Sequence, residues 1–149
     1  MKHTHRFPVV LAAEDDAGGR MLLQEVFEAA GAKVDLRLVA DGQELLDYLH
    51  RREPWTEARS PNLILLDLNM PGMDGREALR EIKSHHELRS IPVVVLTTSR
   101  AEEDIADAYA QGANIYIPKP DSFDELVGAV KILCEFWFKV CALPETVER

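Results

Sequence analysis

Short apolar runs recur along the chain at regular intervals. "FPVVLAA", "NLILLDL" and "IPVVVLTT" hold continuous apolar runs of four to seven residues, "VDLRLVA" is more alternating, and "NIYIP" is short. Runs without polar alternation fit parallel strands covered by helices on both sides. Between them the apolar positions space out to three and four. Leu22, Leu23, Val26, Phe27 and Ala30 mark a helix over 17–30, and Leu45, Leu46 and Leu49 one over 43–52. Ala78, Leu79 and Ile82 mark a third over 76–84, and Ile105, Ala108 and Tyr109 a fourth over 101–110. The last runs from Ser122 to Cys141. Gly31 and Gly112 stand where the first and fourth helices should stop, and Asp41 and Ser99 are placed as N-caps. Five strand-then-helix units imply an α/β fold with a parallel sheet between two helical layers. The irregular connection is "HRREPWTEARSPN", whose Trp55 reads as an aromatic folded onto the sheet edge or as a partner contact.

The length of 149 residues suits one domain, enough to bury about 70% of the surface its unfolded form exposes. With 46% hydrophobic and 29% charged residues the chain is globular, and no apolar run is long enough to span a membrane. The basic start leads directly into a strand and then acids, which predicts a cytoplasmic protein with no leader. A formal charge of −9 disfavours nucleic acid as a partner and favours proteins. Cys134 and Cys141 are too few for a disulfide framework and read as small core or interface residues on one helix face. His3, His5, His50, His85 and His86 lack metal-ligand spacing and read as solvated surface.

Ligands of such sheets bind at the carboxyl ends of the strands, so the residues delivered there carry the chemistry. The first strand ends in Glu14, Asp15 and Asp16, the third in Asp67, the fourth in Thr97, Thr98 and Ser99, and the fifth in Lys119 and Pro120. Converging carboxylates raise one another's pKa unless a cation joins them, and oxygen ligands with room for water and phosphate favour Mg2+. A carboxylate, a magnesium ion, a lysine and a hydroxyl around one point equip a site for phosphoryl transfer onto an aspartate. Asp67 is then the nucleophile, and "NMPGMDG" turns the chain away to leave it open. An aspartyl phosphatase of the haloacid-dehalogenase type would need a second acid two residues on, where Asn69 stands. A flavodoxin-like nucleotide carrier would meet the acids of "EDDAGG" where its phosphate should bind. A scaffold with an inert site is opposed only by the completeness of the set.

These residues resemble those of the receiver domains of two-component response regulators, the CheY-like family, from Phe7 to Val140. The anchors occur in order: the acidic pair Glu14 and Asp15, "LLDLNMPGMDG" around Asp67, "LTTS" at Thr97, Tyr116 in "NIYIPKP", and "KP" at Lys119 and Pro120. The resemblance implies a flavodoxin-like doubly wound sheet of order 2-1-3-4-5 with five helices, forming one receiver domain. It further implies that Asp67 takes a phosphoryl group from a sensor histidine kinase. Asp15, Asp67 and the Asn69 carbonyl would ligate Mg2+, with Glu14 acting through a water. Lys119 would pair with the phosphoryl oxygens, aimed by a cis peptide before Pro120. Thr97 and Tyr116 would form the switch that reshapes the faces of the fourth and fifth helices. Asp16 is an extra acid, expected to be solvated or to sit behind the ligands. Thr98 stands where the family often has a smaller residue. The protein would be a phosphoacceptor that catalyses only its own phosphorylation and dephosphorylation.

No output domain is expected to follow the final helix, so the signal should leave through contacts. In "FDELVGAVKILCEFWFKVCAL", Phe123, Leu126, Val130, Leu133, Trp137 and Val140 form a stripe fit to pack on the sheet. Val127, Cys134, Phe138 and Cys141 form a second stripe, and Phe136 points further round. Segment 122–149, with Cys134, Phe136, Trp137, Phe138 and Cys141 at its centre, is expected to be a homodimer interface, with folding back over its own domain as the alternative. The "EPWTEARSP" loop and the "FW" ending resemble those of regulators that partner phytochrome-type kinases.

Overall fold

The computed structural model describes residues 7–144. Strands β1 (Val9–Ala13), β2 (Asp35–Val39), β3 (Leu63–Leu66), β4 (Val93–Thr97) and β5 (Ile115–Pro118) form one parallel sheet of order β2-β1-β3-β4-β5. They alternate with α1 (Ala17–Ala29), α2 (Gly42–Leu49), α3 (Gly75–Ser84), α4 (Glu102–Ala110) and α5 (Phe123–Glu135). This is the order and helix count that the resemblance implies.

The apolar strands are buried on both faces because each face has its own helices. Val10, Ala12, Leu63, Leu65, Val94 and Leu96 point to the side covered by α1 and α5. Leu11, Ala13, Ile64, Leu66, Val93 and Val95 point to the side covered by α2, α3 and α4. The two edge strands, β2 and β5, are only partly buried, and Asp35 and Arg37 of β2 pair at 2.8 Å. The loop before β3 folds Trp55 onto Tyr48 of α2, ring centroids 5.1 Å apart, and the Tyr48 hydroxyl donates to the Arg59 carbonyl at 2.9 Å.

Most predicted stops hold. Gly31 and Gly112 follow α1 and α4 with φ of +66° and +106°, conformations that a side chain disfavours. Asp41 caps α2 by accepting from the Glu44 N–H. Ser99 does not cap α4: Ala101 occupies that position, and the Ser99 hydroxyl instead donates to Asp104 at 2.6 Å. The last helix is not continuous to Cys141. It changes at Phe136 into a five-residue π-helical segment, Phe136–Val140, which re-aims the side chains that follow.

The histidines are not uniformly solvated. His50 and His85, ending α2 and α3, are half-buried with rings edge-on at 4.8 Å, because the two helices pack together. His86 is exposed, and His3 and His5 lie outside the described residues.

Candidate functional site

The sheet's order reverses at β1 and β3, so the chain diverges just beyond their carboxyl ends and leaves a crevice there. Ladder hydrogen bonds carry the first residues of the loops into that crevice. Glu14 N–H donates to the Val39 carbonyl at 3.0 Å, Asp67 N–H to Ala13 at 3.4 Å, and Lys119 N–H to Thr97 at 2.7 Å. Each side chain is therefore held by strand pairing and not by loop conformation alone.

The loop after β3 moves out of the way for local reasons. Gly72 has φ of +70°, which favours glycine. Gly75 opens α3 so close to the Asp67 carbonyl that any Cβ there would overlap it. Asp74 caps α3 by accepting from the Arg76 N–H at 2.7 Å.

Within the crevice one oxygen each of Glu14, Asp15 and Asp67 lies within 4.8 Å of the others, the one such acidic cluster among the described residues. Glu14 is buried, Asp67 half-buried and Asp15 exposed. Lys119 Nζ donates to Glu14 Oε1 at 2.8 Å and to Asp67 Oδ2 at 3.4 Å. Burial works against the ammonium, but the Glu14 hydrogen bond and the Asp67 charge outweigh it and hold the Lys119 pKa above that of an ordinary lysine. One cation facing three carboxylates leaves the site short of positive charge. Oxygen donors of that kind fit a hard divalent ion.

Thr97 ends β4 fully buried, and its Oγ1 accepts from Asn69 Nδ2 at 3.4 Å. The Asn69 backbone N–H donates to Asp67 Oδ1 at 3.0 Å, so Asn69 spans from the carboxylate to the hydroxyl. Tyr116 is buried, its hydroxyl donating to the Ser99 carbonyl at 3.0 Å just beyond Thr97. The structure thus gathers Glu14, Asp15, Asp67, Asn69, Thr97 and Lys119 in one place, with Tyr116 one contact behind.

One expectation about the site needs correction. The peptide before Pro120 is not cis; among the described residues only Glu53–Pro54 is. With its N–H fixed to Thr97, Lys119 reaches both carboxylates without that bond. Asp16 is exposed, as expected, and its side chain in addition accepts from the Gly19 N–H at 2.8 Å and caps α1.

Two contributors escaped sequence reasoning. Arg20 Nη1 donates to the carbonyls of Glu14 at 2.8 Å and Asp15 at 3.1 Å, holding the loop that presents both acids. Arg76 bonds Asp104 at 2.9 Å, and that carboxylate also accepts from Ser99, which ties α3, α4 and the loop after Thr97 together. The Ser99 and Arg76 hydrogen bonds hold the Asp104 pKa below the usual carboxylate value. An arginine on a polar helix face gives no local signal of either role.

The model of the response regulator receiver domain matches residues 10–131. The chain belongs to that family. Receiver domains are the phosphoacceptor signalling domains of two-component systems. Response regulator Rcp1 of Synechocystis sp. is 38% identical over 136 residues, 91% of this chain and 92% of that protein. The crystal structure of the phosphorylated cyanobacterial phytochrome response regulator RcpA shares 40% identity with a TM-score of 0.87, covering 93% of this chain and 99% of that one. RPA3017, a response regulator in red light signalling of R. palustris, shares 39% with a TM-score of 0.89 over the same proportions. Rcp1 has also been solved in a Mn2+-bound form. The receiver domain is therefore related to phytochrome response regulators. Among the described residues no helix is long and apolar enough to cross a membrane.

Proposed function

We propose that this receiver domain accepts a phosphoryl group on Asp67 from the phosphohistidine of a sensor kinase, and that the kinase is of the phytochrome type. The observation that carries the proposal is Lys119 Nζ bridging Glu14 and Asp67 beside the three-carboxylate cluster. An Asp67 oxygen attacks phosphorus, the phosphorus–nitrogen bond breaks, its electron pair stays on the imidazole, and an acyl phosphate forms. Mg2+ held by Asp15, Asp67 and the Asn69 carbonyl, with Glu14 beside them, would offset charge on the transferred group. Lys119 exchanges its contact with Asp67 for one with a phosphoryl oxygen while keeping Glu14. Thr97 Oγ1 leaves Asn69 to donate to another oxygen, and Tyr116 gives up the Ser99 carbonyl to follow it inward. Incubation with acetyl phosphate and Mg2+ should add the mass of one phosphoryl group, and Asp67→Asn or chelation of the metal should abolish the gain. No gain in the folded wild type would leave an inert scaffold.

The relatives' red-light association supports the kinase class, and the outer surface of α5 supports a homodimer. Ile132 is 69% exposed, Phe136 47% and Val140 73%, an apolar seam at steps of four. Of the other residues named for the interface, Cys134 is buried and Trp137 and Phe138 pack against the domain's own core, while Cys141 is half-buried. The self-complementary contact therefore centres on Phe136. Residues 145–149 lie outside the described residues. Sedimentation should show the wild type associating at tens of micromolar and Phe136→Asp as a monomer; a monomeric wild type removes the dimer.

A further inference from the structure

The first turn of α1 carries two successive glycines, Gly18 and Gly19, although a helix disfavours glycine. At both positions a side chain would meet an obstacle. A Cβ on Gly18 would come within 3.1 Å of Asp16 Oδ2, the oxygen that caps the helix. At Gly19 the obstacle belongs to the site. A Cβ there would stand 2.9 Å from Glu14 Cδ, 3.0 Å from its Cγ and 3.1 Å from its Oε2. Carbon atoms pack at about 3.5 to 4.0 Å.

The far end of a glutamate normally yields to such a contact, but Glu14 is pinned. Its residue is 5% exposed, Oε1 accepts from Lys119 Nζ at 2.8 Å, and Oε2 accepts from the Asp16 N–H at 3.2 Å. Its backbone is held as well. The Glu14 N–H donates to the Val39 carbonyl at 3.0 Å, and its own carbonyl accepts from Arg20 Nη1 at 2.8 Å. A side chain at position 19 would therefore drive the carboxylate off at least one of its two partners. That carboxylate is one of the three whose oxygens lie within 4.8 Å of one another, so the space open to a cation changes with it.

We infer that Gly19 is a positioning residue of the phosphoacceptor site: by lacking a side chain it seats the Glu14 carboxylate against α1, where that group holds Lys119 beside Asp67 and completes the three-carboxylate cluster. The inference rests on the proposed reading of the cluster as the Mg2+ site. Residues that orient a metal's ligands set its affinity by about ten- to a hundredfold.

Mn2+ is the probe, followed by the loss of the free ion's electron paramagnetic resonance signal. Gly19→Ala should raise the Kd about tenfold. Added to a chain that already carries Glu14→Ala, it should change the Kd by less than about twofold, because the three atoms it would strike are gone. Gly128→Ala on α5, where a Cβ meets nothing within 4 Å, is the control for the exchange itself and should leave the Kd unchanged. An unaltered Kd in Gly19→Ala, or an equal rise with and without the Glu14 side chain, overturns the inference.

Urea unfolding in EDTA reads the same cycle without metal. Gly19→Ala should raise the midpoint of the Glu14→Ala chain, as alanine does in a helix, and raise that of the wild type less or not at all. An equal gain in both chains overturns the inference. A wild type that shows the unequal gain yet takes up no Mn2+ removes the Mg2+ reading and leaves the seating of Glu14 supported.

Discussion

The two ends of the sheet handle polar groups in opposite ways. Where strands begin, each exposed ladder position is closed locally. Val9 N–H donates to Asn62 Oδ1 at 2.8 Å while Asn62 N–H donates back to the Val9 carbonyl at 2.8 Å. Asn114 does the same for Val93, at 2.9 Å in each direction, and its Oδ1 also accepts from Lys83 Nζ at 3.2 Å. Lys83 is further held by the carbonyls of Arg89 and Ile91, and burial lowers its pKa. Where strands end, three carboxylates meet one ammonium. Polar groups that balance are structural, whereas an imbalance held rigidly in place is a site awaiting a partner.

The sharpest way to break this contrast is to remove the ammonium that bridges the carboxylates at the charged end. Lys119→Ala should slow phosphorylation by acetyl phosphate about a hundredfold, the scale of losing one preorganised donor to developing charge. Measured rates equal to the wild type would mean that the cluster works without it.

Next in size is a pH effect at the apolar end. Burial pushes the Cys134 thiol up to about 11 from its ordinary value of 9.0. A raised folded pKa means stability that is complete below pH 9 and lost as pH climbs towards 11, because the unfolded chain ionises first. The loss should reach about 2 to 3 kcal/mol. Urea unfolding across that interval, compared with Cys134→Ala, isolates the thiol's part; equal slopes in both proteins would remove this account.

The smallest expected effect sharpens the contrast from the balanced end. Asn114→Ala leaves the buried Val93 N–H without its acceptor and should cost roughly 1 to 2 kcal/mol in urea unfolding while leaving phosphorylation unchanged. A change in phosphorylation rate would show that the two ends are not separable.

Much of the charged end is legible in the chain because strand-end residues follow immediately from where apolar runs stop. Glu14, Asp67, Thr97 and Lys119 each sit at such a stop, and strand pairing does the rest. Caps were less readable. Asp16 and Ser99 are both short polar residues near a helix start, yet one caps α1 while the other lies two residues before the cap of α4 and bonds Asp104 within that helix. The end of α5 was unreadable for a different reason. A π-helical segment of five residues is too short to alter an apolar period, so Trp137 and Phe138 could be placed on a stripe but not aimed.

What the amino-acid order determined by itself was the alternation of buried strands and amphipathic helices, and with it the parallel sheet and the acidic crevice. Those depend on burial and on short-range periodicity, both written along one dimension. Only tertiary structure decided that Arg20 braces the acidic loop, that Arg76 reaches Asp104, and that Trp137 buries its indole N–H without an acceptor. Each depends on the direction of a long side chain after separate elements have packed, and no local pattern encodes that direction.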